Sequence, residues 1–286
     1  MKKFVYLSAY FPVMIKSIPL IKAALKPMLW VFLIVISYLV KGQPVKPSFN
    51  FKTVVIDAGH GGKDPGAHGA YSLEKNVALT IAKKTKRLIN KQMDDVTVIL
   101  TRSTDRFIEL NKRAETANKS NANLFISIHC NSTPEGIKDR AEKERGVLLL
   151  VYGYHRKEEQ MEALRENASI YIEKDYQKNY TGYNENNPSA LIVLNAFMAK
   201  YRKQSILFAE ILNKEFVNND GRKSAGVKEQ GVLVLAHSAM PAVLVETGYI
   251  NNPKEENYLN SETGQDEIAR SIVDAIKIYR SEINTK

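Results

Sequence analysis

Two histidines and two glutamates stand where apolar runs of this chain give way to polar turns. His60 lies inside "VVIDAGHGGKDPGAHG" (Val54 to Gly69), between glycines and directly after a buried-strand pattern, and His129 follows the apolar run "NLFISI". Glu74 opens the first helical pattern after that glycine-rich loop, and Glu246 closes "AVLVE" just before Thr247 and Gly248. Glycines tolerate positive φ and let the backbone pass close to a ligand, and α/β proteins bind ligands at the carboxyl edge of their sheets. Taken singly, each residue has an ordinary explanation. A strand-end histidine can be a hydrogen-bonded rim residue, a first-turn glutamate is favoured by the helix macrodipole, and a strand-end glutamate can face water. Together, two neutral imidazoles and one carboxylate form the donor set of a catalytic zinc site whose fourth position is kept for water. A further carboxylate would serve as general base, and Glu246 is available. Such an ion lowers the pKa of a water it holds from roughly 15.7 to about 7, so attack on an unactivated amide becomes feasible at neutral pH.

The elements that must position these residues read as one α/β domain over residues 51–283. "TVVID", "VTVIL", "NLFISIHCN" and "GVLLLVY" are predicted strands, and "GVLVLA" and "AVLVETG" are predicted closing strands. Between them, "LEKNVALTIAKKTKRLIN" is an amphipathic helix with Ser72 as candidate N-cap, "ELNKRAETANKS" is a second helix, and a long helix is predicted from Ala190 to Val217. A last helix carries Ile268, Ile272, Ala275, Ile276 and Tyr279 at helical spacing, a core stripe. Strands alternating with helices imply crossovers and a twisted, mostly parallel sheet flanked by helices.

The segments "VVIDAGHGGKDPGA" with Glu74, "NLFISIHCN" and "MPAVLVETGYINN", in this order, closely resemble the zinc-dependent N-acetylmuramoyl-L-alanine amidases of bacterial cell walls. The resemblance implies a single Zn2+ held by His60, Glu74 and His129, with Glu246 as catalytic glutamate. It also implies hydrolysis of the amide between the lactyl group of N-acetylmuramic acid and the L-alanine of the stem peptide. Peptidoglycan is the implied partner, in cell-wall remodelling or daughter-cell separation. A peptidase cutting within the stem peptide would use the same metal chemistry, and only the new termini separate the two.

Other polar residues have weaker claims. Cys130 follows His129, and successive strand side chains face opposite ways, so both do not reach one metal. His68 sits farther along the glycine loop, and His155 lies beside the charged "RKEE". His237 is a candidate substrate contact. Arg113 could meet a peptide carboxylate or form a structural ion pair, and Asp57 could orient His60 or anchor its turn.

The chain has 286 residues and a net charge of +10, but residues 1–42 hold six lysines and no acid, leaving +4 on the rest. That leader ends in the uncharged run Met28 to Val40, too short for the roughly 20 residues that span a bilayer. It fits a secretory signal cleaved before Gln43, with an uncleaved anchor as the alternative and Met14 as an alternative start. Residues 43–50 form a linker, and the expected location is the periplasm or cell envelope. One cysteine allows no internal disulfide. The modest basic balance suits an anionic wall polymer and lacks the aromatic and glycine organisation of a nucleic-acid binder. A monomer is expected.

Residues 138–188 read least clearly. "KDRAEKER" is a solvated loop by its dense mixed charge. Farther on, Tyr171, Tyr176, Tyr180 and Tyr183 lie among polar groups. Some amidases of this kind carry a helix here that covers the zinc site until a partner protein displaces it. The segment is such a lid, a glycan-stacking surface, or a packed helix and loop, and the tyrosine spacing favours the last.

Overall fold

Six strands order themselves β2-β1-β3-β6-β4-β5 in one sheet. They are β1 (Thr53–Ala58), β2 (Thr97–Leu100), β3 (Leu124–Asn131), β4 (Val147–Tyr152), β5 (Ser224–Gln230) and β6 (Ala242–Tyr249). All pairs are parallel except β4 with β6. The computed structural model describes residues 51–134, 143–153, 160–180 and 188–285. The predicted leader and linker, residues 138–142 of the charged loop, His155 and Tyr183 lie outside the described residues. The chain divides into Met1–Ser48 and Phe49–Lys286, and the fold is that of the second unit.

Three helices cover one face: α1 (Glu74–Gln92), α5 (Pro188–Asn218) and α8 (Glu262–Thr285). The other face carries α2 (Leu110–Lys119), α3 (Met161–Asn167) and the short α6 (Leu233–Ala236). A 3-10 turn (Ala168–Ile172) and α4 (Tyr176–Asn179) follow α3, and α7 (Pro253–Asn260) precedes α8. Strand alternation assigns side chains to the two faces. Val54, Ile56, Ile126, Ile128, Val243 and Val245 join α1, α5 and α8 in one core, while Val55, Phe125 and Leu244 face the other. By the same parity Asp57, Ser127, His129 and Glu246 share the second face, and Cys130 is buried in the first core, turned away from His129. The predicted stripe on α8 is fully buried.

Two local expectations are corrected. Ser72 does not cap α1: the cap position is Leu73, without a side-chain bond, and the Ser72 hydroxyl donates instead to Glu256 at 2.7 Å. Loop carbonyls serve the helix start, with Glu74 N–H on Ala67 O and Lys75 N–H on Pro65 O. "GVLVLA" is not a strand, because Val232 leads into the helical turn α6, whose Val234, Leu235 and Ala236 are all buried. A short apolar run has no periodicity that separates the two states. The sixth strand is β5, "SAGVKEQ", a mostly polar edge strand with Gly226 at φ 82°. Edge strands are half solvated and lose the apolar signature of buried ones.

Candidate metal centre

The carboxyl edge of β1 turns sharply at Gly59 and His60. His60 takes φ 56°, a left-handed conformation rare outside glycine, and two buried arginines hold it there. Arg102 donates to Ala58 O (2.9 Å) and Gly59 O (2.6 Å), and Arg113 donates to Ala58 O (2.7 Å) and His60 O (2.8 Å). A side chain at Gly59 would overlap the His129 ring, and a Cβ on Gly66 would lie 2.6 Å from His60 Cδ2. The loop can therefore pass over both rings only as glycine.

Glu74 enters from the first turn of α1. Its Oε1 accepts from Cys130 N–H at 2.9 Å and its Oε2 from Ala67 N–H at 2.8 Å. The loop before it is tied down by Glu256 of α7, which accepts from the N–H groups of Ala70, Tyr71 and Ser72. His129 enters from the end of β3, beside its register partner Glu246 on β6.

A fourth residue joins them that the sequence did not single out: Glu166 of α3. Glu74 Oε1 lies 3.1 Å from His60 Nε2 and 3.0 Å from His129 Nδ1, and Glu166 Oε2 lies 3.4 Å and 2.8 Å from the same two nitrogens. A tetrahedral ion with bonds of about 2.0–2.1 Å sets its ligand atoms roughly 3.3 Å apart. His60 Nε2 and Glu166 Oε2 are buried without a hydrogen-bond partner. Two imidazoles, two carboxylates and these orphaned atoms fit a divalent metal ion.

The field of the site is strong. Burial alone would lower the His129 pKa, but the carboxylates of Glu166 and Glu74 overcome it and push it up to about 9. His60 is raised well above its ordinary range in the same way, by Glu74 and Asp64 against burial. Burial would raise Glu74 and Glu166, yet the imidazoles, with Arg165 beside Glu166, draw both down. Glu246 goes the other way: burial first, then the carboxylates of Glu166 and Glu74, push it up to about 8 despite Arg165. Its Oε1 accepts from Arg165 at 2.6 Å, and its Oε2 is unpartnered.

The structure brings His60, Glu74 and His129 together and sets Glu246 at the register position beside His129. The other candidates fall elsewhere. Arg113 is buried in an ion pair with Asp57 (2.9 Å), the structural alternative weighed for it, and has no surface for a peptide carboxylate. Asp57 does not reach His60, whose Nδ1 pairs with Asp64 at 2.9 Å. His237 offers its carbonyl to Asn118 at the end of α2 and sets its ring 6.3 Å from that of Phe197, tilted by 37°, at the edge where β6 begins. Tyr180 packs inward and donates to Glu173, which also receives Leu110 N–H at the start of α2. Tyr171 is exposed, its ring against Tyr176. The side chains of this segment that meet His60, His129 and Glu246 are thus those of Arg165 and Glu166, upstream of the tyrosines.

Comparison with known proteins agrees with this geometry. The N-acetylmuramoyl-L-alanine amidase family model matches residues 54–278. A putative N-acetylmuramoyl-L-alanine amidase of Buchnera aphidicola is 33% identical over 227 residues, 79% of this chain and 95% of that protein. The N-acetylmuramoyl-L-alanine amidase AmiC of Escherichia coli is 33% identical over 232 residues, 79% of this chain but 52% of that protein, so the chain spans about half its length. Among solved structures, the CwlD amidase of Clostridioides difficile, in complex with the GerS lipoprotein, superposes with TM-score 0.58 at 25% identity over 81% of this chain and 99% of that one. With the family's match running from β1 into α8 and so across every element that supplies the centre, the chain belongs to the N-acetylmuramoyl-L-alanine amidase family.

Proposed function

We propose that this chain is a zinc-dependent hydrolase of the amide between N-acetylmuramic acid and L-alanine in peptidoglycan, seen with its active site covered. The observation that carries the reading is the buried cluster of His60, Glu74, His129 and Glu166, whose ligand atoms all lie within 4.8 Å of one another. His60, Glu74 and His129 would hold the ion, since they come from the strand edge and the first turn of α1, while Glu166 comes from a seven-residue helix. When bound, zinc supplies Lewis-acid polarisation of the scissile carbonyl and an acidified water.

The chain's own residues do the rest. Glu246, with Oε2 unpartnered, is the base that takes the proton from the attacking water and delivers it to the departing alanine nitrogen. In the covered state Arg165 occupies Glu246 Oε1, and Glu166 fills the position that water and substrate need. Activity therefore requires α3 to move. Its hold is mainly polar: besides the contacts of Arg165 and Glu166, Ala163 N–H donates to Gln230 Oε1, Asn167 Nδ2 to Gly231 O and Leu233 N–H to Asn167 Oδ1, while Met161 and Leu164 are exposed. A partner protein that draws α3 away would be an activator, and the GerS complex of CwlD is a precedent for an amidase of this family bound to a lipoprotein. The apolar run before Lys41 supports export to the cell envelope, and no helix among the described residues is long and apolar enough to cross a membrane.

The test is to incubate the zinc-loaded chain with purified peptidoglycan, with and without chelator, and to identify products by mass spectrometry. Stem peptides beginning at L-alanine, absent with chelator, are expected. Cuts inside the stem peptide would make it a peptidase instead.

A further inference from the structure

Asp57 on β1 and Ser127 on β3 are register partners on the face that carries His129. Asp57 is fully buried, and its two oxygens have separate duties. Oδ1 accepts from the Thr101 hydroxyl at 2.5 Å and from Arg113 Nη1 at 2.9 Å, while Oδ2 accepts from the Ser127 hydroxyl at 2.7 Å. A hydroxyl has one proton to give. With that proton committed to Asp57, Ser127 Oγ meets Nε2 of His129, 3.1 Å away, as an acceptor. Nε2 must then carry a hydrogen, which leaves Nδ1 for the cluster, where Glu74 and Glu166 approach to 3.0 Å and 2.8 Å.

We propose that the chain Arg113–Asp57–Ser127 fixes which ring nitrogen of His129 faces the metal, making Asp57 and Ser127 positioning residues of the centre. The inference rests on the metal reading above. The same ion pair also supports the second histidine, because Arg113 holds the His60 carbonyl at 2.8 Å. Asp64 sets the ring of His60 separately, taking its Nδ1 and turning Nε2 inward. The two imidazoles thus present different nitrogens, Nε2 from His60 and Nδ1 from His129, and each is oriented by its own carboxylate, one directly and one through a serine.

This arrangement makes one nearly isosteric substitution sharply informative. In Asp57→Asn the amide oxygen must stay at the Oδ1 position, because Thr101 and Arg113 both donate to it. The amide NH2 then points at Ser127 and donates to its oxygen. The serine proton is freed to donate to His129 Nε2, which places the imidazole hydrogen on Nδ1, where the metal must bind. Ser127→Ala, by contrast, leaves the ion pair intact and removes only the acceptor from Nε2–H.

The experiment measures zinc affinity of the full chain by competition with a chelator, and the ring N–H signals of 15N-histidine-labelled, zinc-loaded protein. The wild type should show a slowly exchanging Nε2–H for His129. Asp57→Asn should bind zinc about 10- to 100-fold more weakly, the range for lost outer-shell partners. Ser127→Ala should bind it less tightly and lose the protected Nε2–H signal while melting cooperatively. If Asp57→Asn does not fold, Ser127→Ala decides. Ser127→Ala with zinc affinity within twofold of wild type and an unchanged Nε2–H signal overturns the relay. A wild-type chain that takes up no zinc overturns the metal reading and the relay with it, an outcome distinct from equal affinities in wild type and variant.

Discussion

Arg165 Nη2 lies 2.6 Å from Glu246 Oε1, and the next residue, Glu166, reaches between His60 and His129. One turn of α3 therefore places a cation on Glu246 and an anion between the two histidines. Each charge finds its complement in the site.

Replacing Glu166 should open the centre. Glu166→Ala removes the fourth member of the cluster and leaves His60, Glu74 and His129 in place. Basal release of stem peptides without any partner should rise by about tenfold or more, each tenfold corresponding to ~1.4 kcal/mol of lost preference for the covered state. A variant with unchanged basal turnover and normal zinc content would show that Glu166 does not limit access.

Glu246→Ala should retain zinc, because Glu246 lies outside the ligand cluster, and lose turnover by roughly 10²- to 10⁴-fold, the contribution of a positioned general base. Zinc content measured beside turnover separates this from ligand loss. Near-normal turnover with full zinc content would remove Glu246 from the mechanism.

The metal-free protein should lose stability as pH rises through neutrality. Folded His129 keeps its proton up to about 9, against an ordinary value of 6.5, so its stabilising contribution is complete below about 6.5 and gone above about 9. Glu246, raised from 4.5 to about 8 by burial and its acidic neighbours, binds protons more tightly when folded and acts in the same direction. The melting temperature without metal should therefore fall between pH 6.5 and 9, by about 2–4 °C for each kcal/mol lost in a domain of this size. Zinc competes with the proton on His129, so the rise in melting temperature on adding zinc should grow over the same interval. A flat profile in a calorimeter would contradict both.

Ile126→Ala on the central strand β3 should destabilise the fold by about 2–5 kcal/mol, since its fully buried side chain packs between β1 and β6 beneath α1 and α8. Chemical denaturation measures this, and zinc stoichiometry of the folded fraction should stay the same.

Much of this molecule was legible because its chemistry coincides with punctuation. His60, His129 and Glu246 each end an apolar strand, and Glu74 opens a helix whose Val77 and Ile81 are buried at helical spacing. Parallel buried strands read as continuous apolar runs, so β1, β3, β4 and β6 were visible, whereas β5 is polar and solvated along an edge. Glu166 carried no signal: "MEALREN" is an ordinary amphipathic turn, and only the tertiary fold brings its carboxylate to two strand ends. Ser72 and Asp57 show a related limit. Each has a side chain suited to the local role expected of it, yet Ser72 is claimed by Glu256 and Asp57 by Ser127, partners more than fifty residues away.

If Glu166 inhibits the site it fills, the inhibitor belongs to the same chain, is present at a fixed ratio of one per enzyme, and dilution cannot release it. The resting leak is a ratio of two conformations, the same at every level of expression. If that ratio is about 99:1, roughly 1% of molecules are open at any moment, and reversing it demands a ligand that prefers the open form by about 10⁴-fold, or ~5.5 kcal/mol. Output is then metered by the supply of that ligand and not by the amount of enzyme, which lets a cell store an enzyme capable of dissolving its own wall.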